Sequence, residues 1–381
     1  MTELPFPIDG TFLSSAIYEG VLSYYACKKD NFDCIKKRVR DITSGARFDI
    51  PSTGKNDQSF FRELGRQYQY TYGEEGTLLF LRNLLENVQE SPKLESVEMQ
   101  IGNIIFEKDA FVIGNKNITG LQLFKCDRYS GFTSLETNYT TSQITLRTSP
   151  EVALTLLIGV ASSFIDRADN FYCFLFFSPD EIVRLYSERN NIDLVRKYFM
   201  VKDKAIEILR TAYLAASPGE IAIMELALNL KLQEEMNKYN LDKVSFMLFR
   251  IAREGNTYKI YEQIPLTLYR RIVFRDIVEK YFKNPERFIK KLSKIFEEKD
   301  KKPYFRLWNA LRSLSRQQPE SEASNVLSAI MNLYRFVILG DPQGYYQFLR
   351  ELHNCYRKAE TEGNEKKSED YRRIIDRLRV S

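Results

Sequence analysis

Histidine and tryptophan are almost absent, with His353 and Trp308 the only examples in 381 residues. A single histidine argues against the histidine-rich centres of metal phosphohydrolases and most zinc enzymes. The five cysteines are odd in number, scattered and without a CxxC pair, which argues against a disulfide framework and a zinc site. We therefore expect no metal site, reduced thiols and a structural or surface role for His353.

The common signatures of nucleotide and acyl chemistry are also missing. The sequence has no GxxxxGK[ST], GxGxxG or GxSxG motif. The first ten residues, MTELPFPIDG, lack the basic and apolar regions of a signal peptide. The longest apolar run, near residues 152–160, is too short to span a bilayer. These absences lead us to expect no cofactor, no membrane contact and a cytoplasmic location.

The hydrophobic pattern changes along the chain and predicts the fold class. The 381 residues are enough for two or three domains with their own cores, and a hydrophobic content of 44% is typical of a globular protein. Helical and strand periodicities alternate up to Pro265, whereas helical periodicity dominates beyond it. We predict an α+β protein: a mixed α/β N-terminal domain at 1–265, with antiparallel hairpins and several helices, and an all-α helical bundle at 266–381.

The N-terminal pattern predicts individual elements. We expect helices at 11–28, 76–88, 150–166, 205–215 and 220–238, and one after the cap Ser178. We expect strands at 97–106, 110–113, 118–124, 143–147 and 171–177, and a hairpin of 243–252 with 257–264. The link 114–117 is typical of a hairpin turn, because Gly and Asn tolerate positive φ.

The C-terminal pattern predicts a helical bundle centred on residues 301–355. Two helical patterns there are joined by a polar link around Pro319, and the first carries Trp308. Upstream, Asn284 and Pro285 form an N-cap and first-turn signature. Asp341 and Pro342 open a further helix in the same way.

Basic residues are concentrated in this C-terminal part. The whole chain carries a net charge of +5, but residues 269–381 contain 25 Lys and Arg against 16 Asp and Glu. Such an imbalance favours a polyanion or an acidic partner surface. A well-solvated helical surface is the alternative explanation.

Four sets of residues are candidates for nucleic-acid binding. The early loop contributes Lys36, Lys37, Arg38, Arg40, Arg47 and Lys55. The predicted hairpin tip contributes Asn115, Lys116 and Asn117, whose small polar side chains suit the reading of base edges in a groove. The start of the bundle contributes Arg270, Arg271 and Arg275. The bundle itself contributes Arg287, Lys290, Lys291, Lys294, Arg306, Arg312 and Arg316.

The middle of the chain holds the residues of a competing, enzymatic interpretation. Glu95, Glu98, Glu107, Lys108 and Asp109 lie beside predicted strands and could imitate the core of a metal-dependent nuclease. Acidic residues beside strands are common, so this pattern alone favours an ordinary structural role for them.

Three stretches resemble a known family. They read FPIDGTFLSSAIYEGVLSYYA, YFRLWNALRSLS and LYRFVILGDPQGYYQFLREL. With the mixed middle and the helical C-terminal part, they resemble the large subunit of the archaeal type I-A CRISPR surveillance complex, Cascade. The resemblance spans most of the chain, but its motifs are not specific.

The resemblance implies a non-catalytic subunit of an RNA-guided interference complex. Such a subunit binds double- and single-stranded target DNA, recognises the protospacer-adjacent motif and helps to recruit the helicase-nuclease. It contacts other Cascade subunits, and CRISPR RNA indirectly; the guide RNA reads most of the target sequence. Two alternatives remain open: a metal-dependent nuclease on the middle strands, and a scaffold that docks an acidic partner through its basic bundle.

Overall fold

A computed structural model describes most of the chain. The described residues are 4–27, 60, 64, 67, 71, 92–106, 110–114, 118–129, 145–168, 171–211, 219–255, 257–270, 273–314 and 316–379. The fold is mixed α+β with helices at its C-terminal end, which confirms the predicted fold class. The predicted helix at 76–88 lies outside the described residues.

The chain divides into two compact units. The first comprises Met1–Lys202 and Ser245–Leu266, and the second comprises Asp203–Val244 and Thr267–Ser381. Residues 203–244 therefore belong with the C-terminal helices. Pro265, where the sequence predicts the domain boundary, lies within a strand. That strand is at the edge of its sheet, where a missing backbone N–H is tolerated.

The first unit contains two sheets and several helices. Its helices are α1 (Phe12–Cys27), α2 (Pro92–Gly102), α3 (Pro150–Ser163), α4 (Pro179–Ser187) and the first half of α5 (Ile192–Thr211). The strands are β1 (Ile104–Phe106), β2 (Ala110–Ile113), β3 (Ile118–Thr119), β4 (Thr145–Thr148), β5 (Phe164–Ala168), β6 (Phe171–Phe177), β7 (Lys243–Glu254) and β8 (Thr257–Tyr269). A 3-10 helix covers Gln122–Tyr129.

The smaller sheet contradicts the predicted hairpin at 114–117. Its strand order is β1-β2-β4-β3, so β4 lies between the two strands that the turn was expected to join. Ala110 pairs with Thr145 in parallel, and Ile118 pairs with Thr148 in antiparallel orientation. Besides its close neighbour β1, β2 pairs with β4, about 35 residues away in the sequence, and local turn chemistry carries no information about that second pairing.

The second sheet has the order β5-β6-β7-β8 and matches the predicted hairpin of β7 and β8. Its centre is β6, whose residues 172–177 are all buried. Ser178 then caps α4: its Oγ accepts a hydrogen bond from the Glu181 amide at 3.4 Å, and Pro179 occupies the first turn. This cap was predicted from the sequence and is confirmed.

Three further predicted elements of the first unit need correction. Residues 97–102 are helical in α2; Val97 and Ile101 are buried while Met99 between them is 72% exposed, a helical rather than a strand pattern. Residues 122–124 belong to the 3-10 helix. Residues 164–166 leave the predicted helix and form β5, because Phe164 pairs with Phe174 of β6. A short apolar run is compatible with both the helical and the strand periodicity. Tertiary contacts then decide whether it forms a helix or a strand.

Helices α1 and α3 cross at glycines. A Cβ on Gly159 would lie 1.9 Å from the carbonyl oxygen of Ala16, and one on Gly20 would lie 2.1 Å from that of Thr155. The backbones thus approach closely, with no room for a side chain at either crossing point. The buried ring of Phe12 in α1 contacts Phe174 of β6 at 5.2 Å, which joins the helix pair to the second sheet.

The second unit is helical apart from the ends of β7 and β8. Its helices are the second half of α5, α6 (Gly219–Leu228), α7 (Leu230–Lys238), α8 (Val273–Tyr281), α9 (Pro285–Glu297), α10 (Phe305–Ser313), α11 (Ala323–Val337), α12 (Pro342–Thr361) and α13 (Glu365–Leu378). The predicted helix at 220–238 is divided at Asn229, whose side chain caps α7 through the Leu232 amide at 3.2 Å.

Trp308 lies in the core of the second unit, as the sequence predicts. Its ring is fully buried, contacts Phe296 at 5.5 Å, and donates through Nε1 to the carbonyl of Ile295 at 2.8 Å. The same hydrophobic cluster includes Met224 of α6, Phe336 of α11 and residues of α12 and α13. This core holds the outward faces of α9 and its neighbours in place.

Candidate nucleic-acid interface

The structure describes only part of the predicted binding set. The residues Lys36, Lys37, Arg38, Arg40, Arg47, Lys55, Asn115, Lys116, Asn117 and Arg271 lie outside the described residues. The predicted role of Asn115–Asn117 as a hairpin tip loses its basis, because β2 and β3 are not adjacent strands. The other candidates all belong to the second unit.

Three of these arginines form ion pairs within the fold. Arg270 contacts the carboxylate of Asp242. Arg306 on α10 lies 3.6 Å from Asp370 of α13, and Arg312 lies 3.3 Å from Asp300. Burial and the nearby Arg316 lower the pKa of Arg312. These contacts give the three side chains structural roles that sequence spacing does not reveal.

The clearest basic surface is one face of α9. Asn284 caps the helix by accepting from the Arg287 amide at 3.4 Å, and Pro285 follows at the first position, both as predicted. Phe288, Ile289, Leu292, Ile295 and Phe296 are buried. Arg287, Lys290, Lys291 and Lys294, which we call the basic stripe, lie at offsets of zero, three, four and seven on one face.

Few contacts within the protein neutralise the positive charges of the basic stripe. Within the described part of the chain, no carboxylate forms an ion pair with Arg287, Lys290 or Lys294. Lys291 donates to the backbone carbonyl of Arg379 at 3.3 Å. Arg287 and Lys290 are exposed and the two other lysines are half-buried. The four cations therefore form a concentrated positive surface on a rigid, capped helix.

Arg275 and Arg316 lie outside this stripe. Arg275 is half-buried on α8, and Arg316 is exposed beyond the C-terminal end of α10. Among the described residues, neither guanidinium is ion-paired. The structure thus leaves Arg275, Arg287, Lys290, Lys294 and Arg316 as candidates whose side-chain charge is not compensated by a described carboxylate.

Glu98, a member of the alternative nuclease set, lies in a tyrosine-rich cluster of the first unit. Its Oε1 accepts from the hydroxyls of Tyr25 at 3.0 Å and Tyr186 at 2.8 Å, and it lies 3.4 Å from Nε of Arg189. Burial, together with the charge of Glu98, raises the pKa of Tyr25 to about 12. A cluster of this kind connects α1, α2 and α4. Glu107, Lys108, Asp109 and the side chain of Glu95 lie outside the described residues.

The described residues contain no group of three or more His, Cys, Asp or Glu side chains arranged to hold a metal ion. A cavity of about 360 Å³ does exist in the second unit, lined by residues of α5, α6 and α9. At its wall, the buried ammonium of Lys299 pairs with Glu225 and lies 5.1 Å from the Trp308 ring. Burial lowers the pKa of Lys299, against the opposing effect of Glu225. Sequence reasoning did not single out this pair, since neither residue belongs to a recognisable motif.

Comparison with known proteins identifies one relative. An uncharacterized protein from Archaeoglobus fulgidus is 38% identical over 387 residues, covering 96% of this chain and 95% of the relative. The chain belongs to the same family as this archaeal protein. No protein-family model matches the chain, and no solved structure matches it.

Among the described helices, none is both long and apolar enough to cross a membrane.

Proposed function

We propose that this chain is a non-catalytic, DNA-binding large subunit of a type I-A RNA-guided CRISPR interference complex. It binds target DNA, recognises the protospacer-adjacent motif and helps to recruit the helicase-nuclease. The observation that carries the proposal is the basic stripe on α9, whose like charges lie side by side without a described carboxylate to neutralise Arg287, Lys290 or Lys294. The sequence resemblance supplies the biological setting.

The like charges of the basic stripe repel one another when no anion is bound. Like charges three or four residues apart on a helix repel by a few tenths of a kcal/mol per pair. A bound phosphate backbone offsets that repulsion, and its condensed counterions are released into solution. Both effects favour DNA binding at cations that no carboxylate of the protein neutralises. Contacts of this kind position DNA without reading its sequence, which fits a subunit in which the guide RNA supplies most of the specificity.

The direct test of the biological setting is purification of the tagged protein from an archaeal host that carries its gene. We expect it to co-purify with other interference subunits and with short RNAs that contain CRISPR repeat sequence. Purified complex is then incubated with labelled target DNA and Mg²⁺ or Mn²⁺. Association without cleavage supports the proposal. Cleavage that is abolished in a Glu98→Gln variant would instead favour the nuclease alternative. Purification of the protein without bound RNA would contradict its assignment to an RNA-guided complex.

A further inference from the structure

Two exposed tyrosines of the second unit belong to helices that pack against the helix of the basic stripe. Tyr281 ends α8 and is 64% exposed, and Tyr346 in the first turns of α12 is 67% exposed. Single exposed rings are ordinary on protein surfaces, so the position of these two relative to α9 carries the argument. Most other rings of this unit are buried, Trp308 and Phe336 among them.

Ring contacts place both tyrosines at the N-terminal end of α9. Phe282, next to Tyr281, stacks on Phe288 of α9 with a centroid distance of 4.1 Å. Phe288 also contacts Tyr345 at 5.2 Å, and Tyr345 contacts Tyr346 at 6.1 Å. Each exposed tyrosine is thus the chain neighbour of a ring that packs on Phe288, in the first turn of α9.

A second set of contacts ties α12 to the stripe itself. The hydroxyl of Tyr345 donates to the carbonyl of Leu378, and Lys291 donates to the carbonyl of the next residue, Arg379. The start of α12 and the stripe face of α9 therefore converge on the same end of α13. We call the set Tyr281, Arg287, Lys290, Lys291, Lys294 and Tyr346 the basic-aromatic surface.

We infer that the basic-aromatic surface binds single-stranded nucleic acid, with bases stacked on Tyr281 and Tyr346 and the backbone along the stripe. This inference rests on the proposed function and assigns a form of nucleic acid to this part of the protein. In a duplex the base faces are covered by their neighbours, so an exposed ring can stack on a base only where the strand is unpaired. Stacking of bases on aromatic rings next to a positive groove is the usual mode of single-strand binding.

The dimensions of the stripe suit a short strand. A helix rises 1.5 Å per residue, so the seven-residue offset from Arg287 to Lys294 spans about 10 Å. One strand of DNA advances about 3.4 Å per nucleotide when stacked, so the stripe matches roughly three phosphates. Tyr281 ends α8, the helix before α9, and Tyr346 follows Tyr345, whose ring contacts Phe288 near the Arg287 end of the stripe.

The test compares three labelled probes of one length: a single strand, an abasic strand with the same number of phosphates, and a duplex. The full-length protein is titrated with each probe, alongside the variant Tyr281→Leu/Tyr346→Leu. We expect the variant to bind the single strand about tenfold or more weakly, on the scale measured for removal of a stacking ring. Its affinity for the abasic strand and the duplex should stay within about twofold of the unmodified protein.

Two further variants serve as controls. Tyr281→Phe/Tyr346→Phe keeps both rings and should retain single-strand affinity. Tyr269→Leu removes an exposed tyrosine, 51% accessible, that belongs to β8 rather than to this surface, and should change none of the three affinities. An unchanged single-strand affinity in the double leucine variant, or an equal loss on the abasic strand, overturns the inference while DNA binding itself stands. If the unmodified protein binds none of the probes, the inference and the DNA-binding part of the proposed function both fail.

Discussion

The carboxylate of Glu19 on α1 and the ammonium of Lys202 on α5 form an ion pair with no solvent exposure on either side chain. Ser163 accepts a second hydrogen bond from Lys202 at 2.9 Å, and the amide of Phe177 donates to the other oxygen of Glu19 at 3.3 Å. The ammonium also lies 5.2 Å from the Phe177 ring. The pair therefore connects two helices and the central strand β6 within the first unit.

Removal of one partner should destabilise the protein strongly. Lys202→Met leaves a buried carboxylate without its counter-charge, and we expect a loss of about 3–5 kcal/mol in the free energy of unfolding. Guanidinium denaturation followed by circular dichroism measures it. Adding Glu19→Gln should recover much of the loss, whereas Lys204→Met, which removes a partly exposed pair with Glu207, should cost about 1 kcal/mol or less. A small effect of Lys202→Met would show that the pair contributes little.

The crossing of α1 and α3 should not tolerate a methyl group. In Gly159→Ala the new Cβ would meet the Ala16 carbonyl at 1.9 Å, so the backbones must separate. We expect a loss of about 1–3 kcal/mol or more, as for other overpacked sites. Gly102→Ala is the matched control, because its Cβ would approach no atom nearer than 3.4 Å. Equal midpoints of thermal unfolding for the two variants would contradict the described crossing.

Asp127 should make stability depend on pH. Its carboxylate accepts from the amides of Phe12 at 2.8 Å and Leu13 at 3.0 Å at the start of α1, yet burial raises its pKa to about 6. A raised folded pKa means that the folded state holds a proton that the unfolded state releases near pH 4. The contribution of protonated Asp127 to the free energy of unfolding is thus fully present below about pH 4 and decreases as the pH rises through about 6.

The Asp127→Asn variant isolates this contribution. We compare the free energy of unfolding of the unmodified protein with that of the variant. The stability advantage of the unmodified protein should be larger at pH 4 than at pH 7. Urea denaturation at half-unit intervals of pH measures the difference. A constant difference across that range would contradict the raised pKa.

Local features were predictable from the sequence because their causes are local. The caps at Ser178, Asn284 and Asp341 each depend on a side chain two or three residues from the amide that it accepts from. The amphipathic spacing of α9 is likewise local, and all four residues of the basic stripe are candidates from the sequence alone.

Features that depend on distant residues were not predictable in this way. The parallel pairing of β2 with β4 and the burial of Lys202 against Glu19 both join segments far apart in the sequence. Arg306 is a candidate for nucleic-acid binding from the sequence alone, because its ion-pair partner Asp370 lies on a different helix. Tyr281 and Tyr346 are ordinary aromatic residues in the sequence, and only tertiary contacts of their neighbours connect them to α9.

The central claim is that the basic stripe contacts phosphates, and its salt dependence tests this most directly. The variant Lys290→Glu/Lys291→Glu/Lys294→Glu leaves the buried face of α9 unchanged, so its circular dichroism spectrum should match that of the unmodified protein. A control with the same change in net charge, Lys366→Glu/Arg372→Glu/Arg373→Glu, alters exposed positions on α13.

Both variants and the unmodified protein are titrated with target DNA at several salt concentrations. We predict that the α9 variant binds every DNA sequence more weakly, and that the slope of log affinity against log salt falls by about one for each phosphate that the variant no longer neutralises. The α13 control should retain most of the affinity and the slope. An α9 variant whose affinity and slope both equal those of the unmodified protein would contradict the account and identify the stripe as a solvated face.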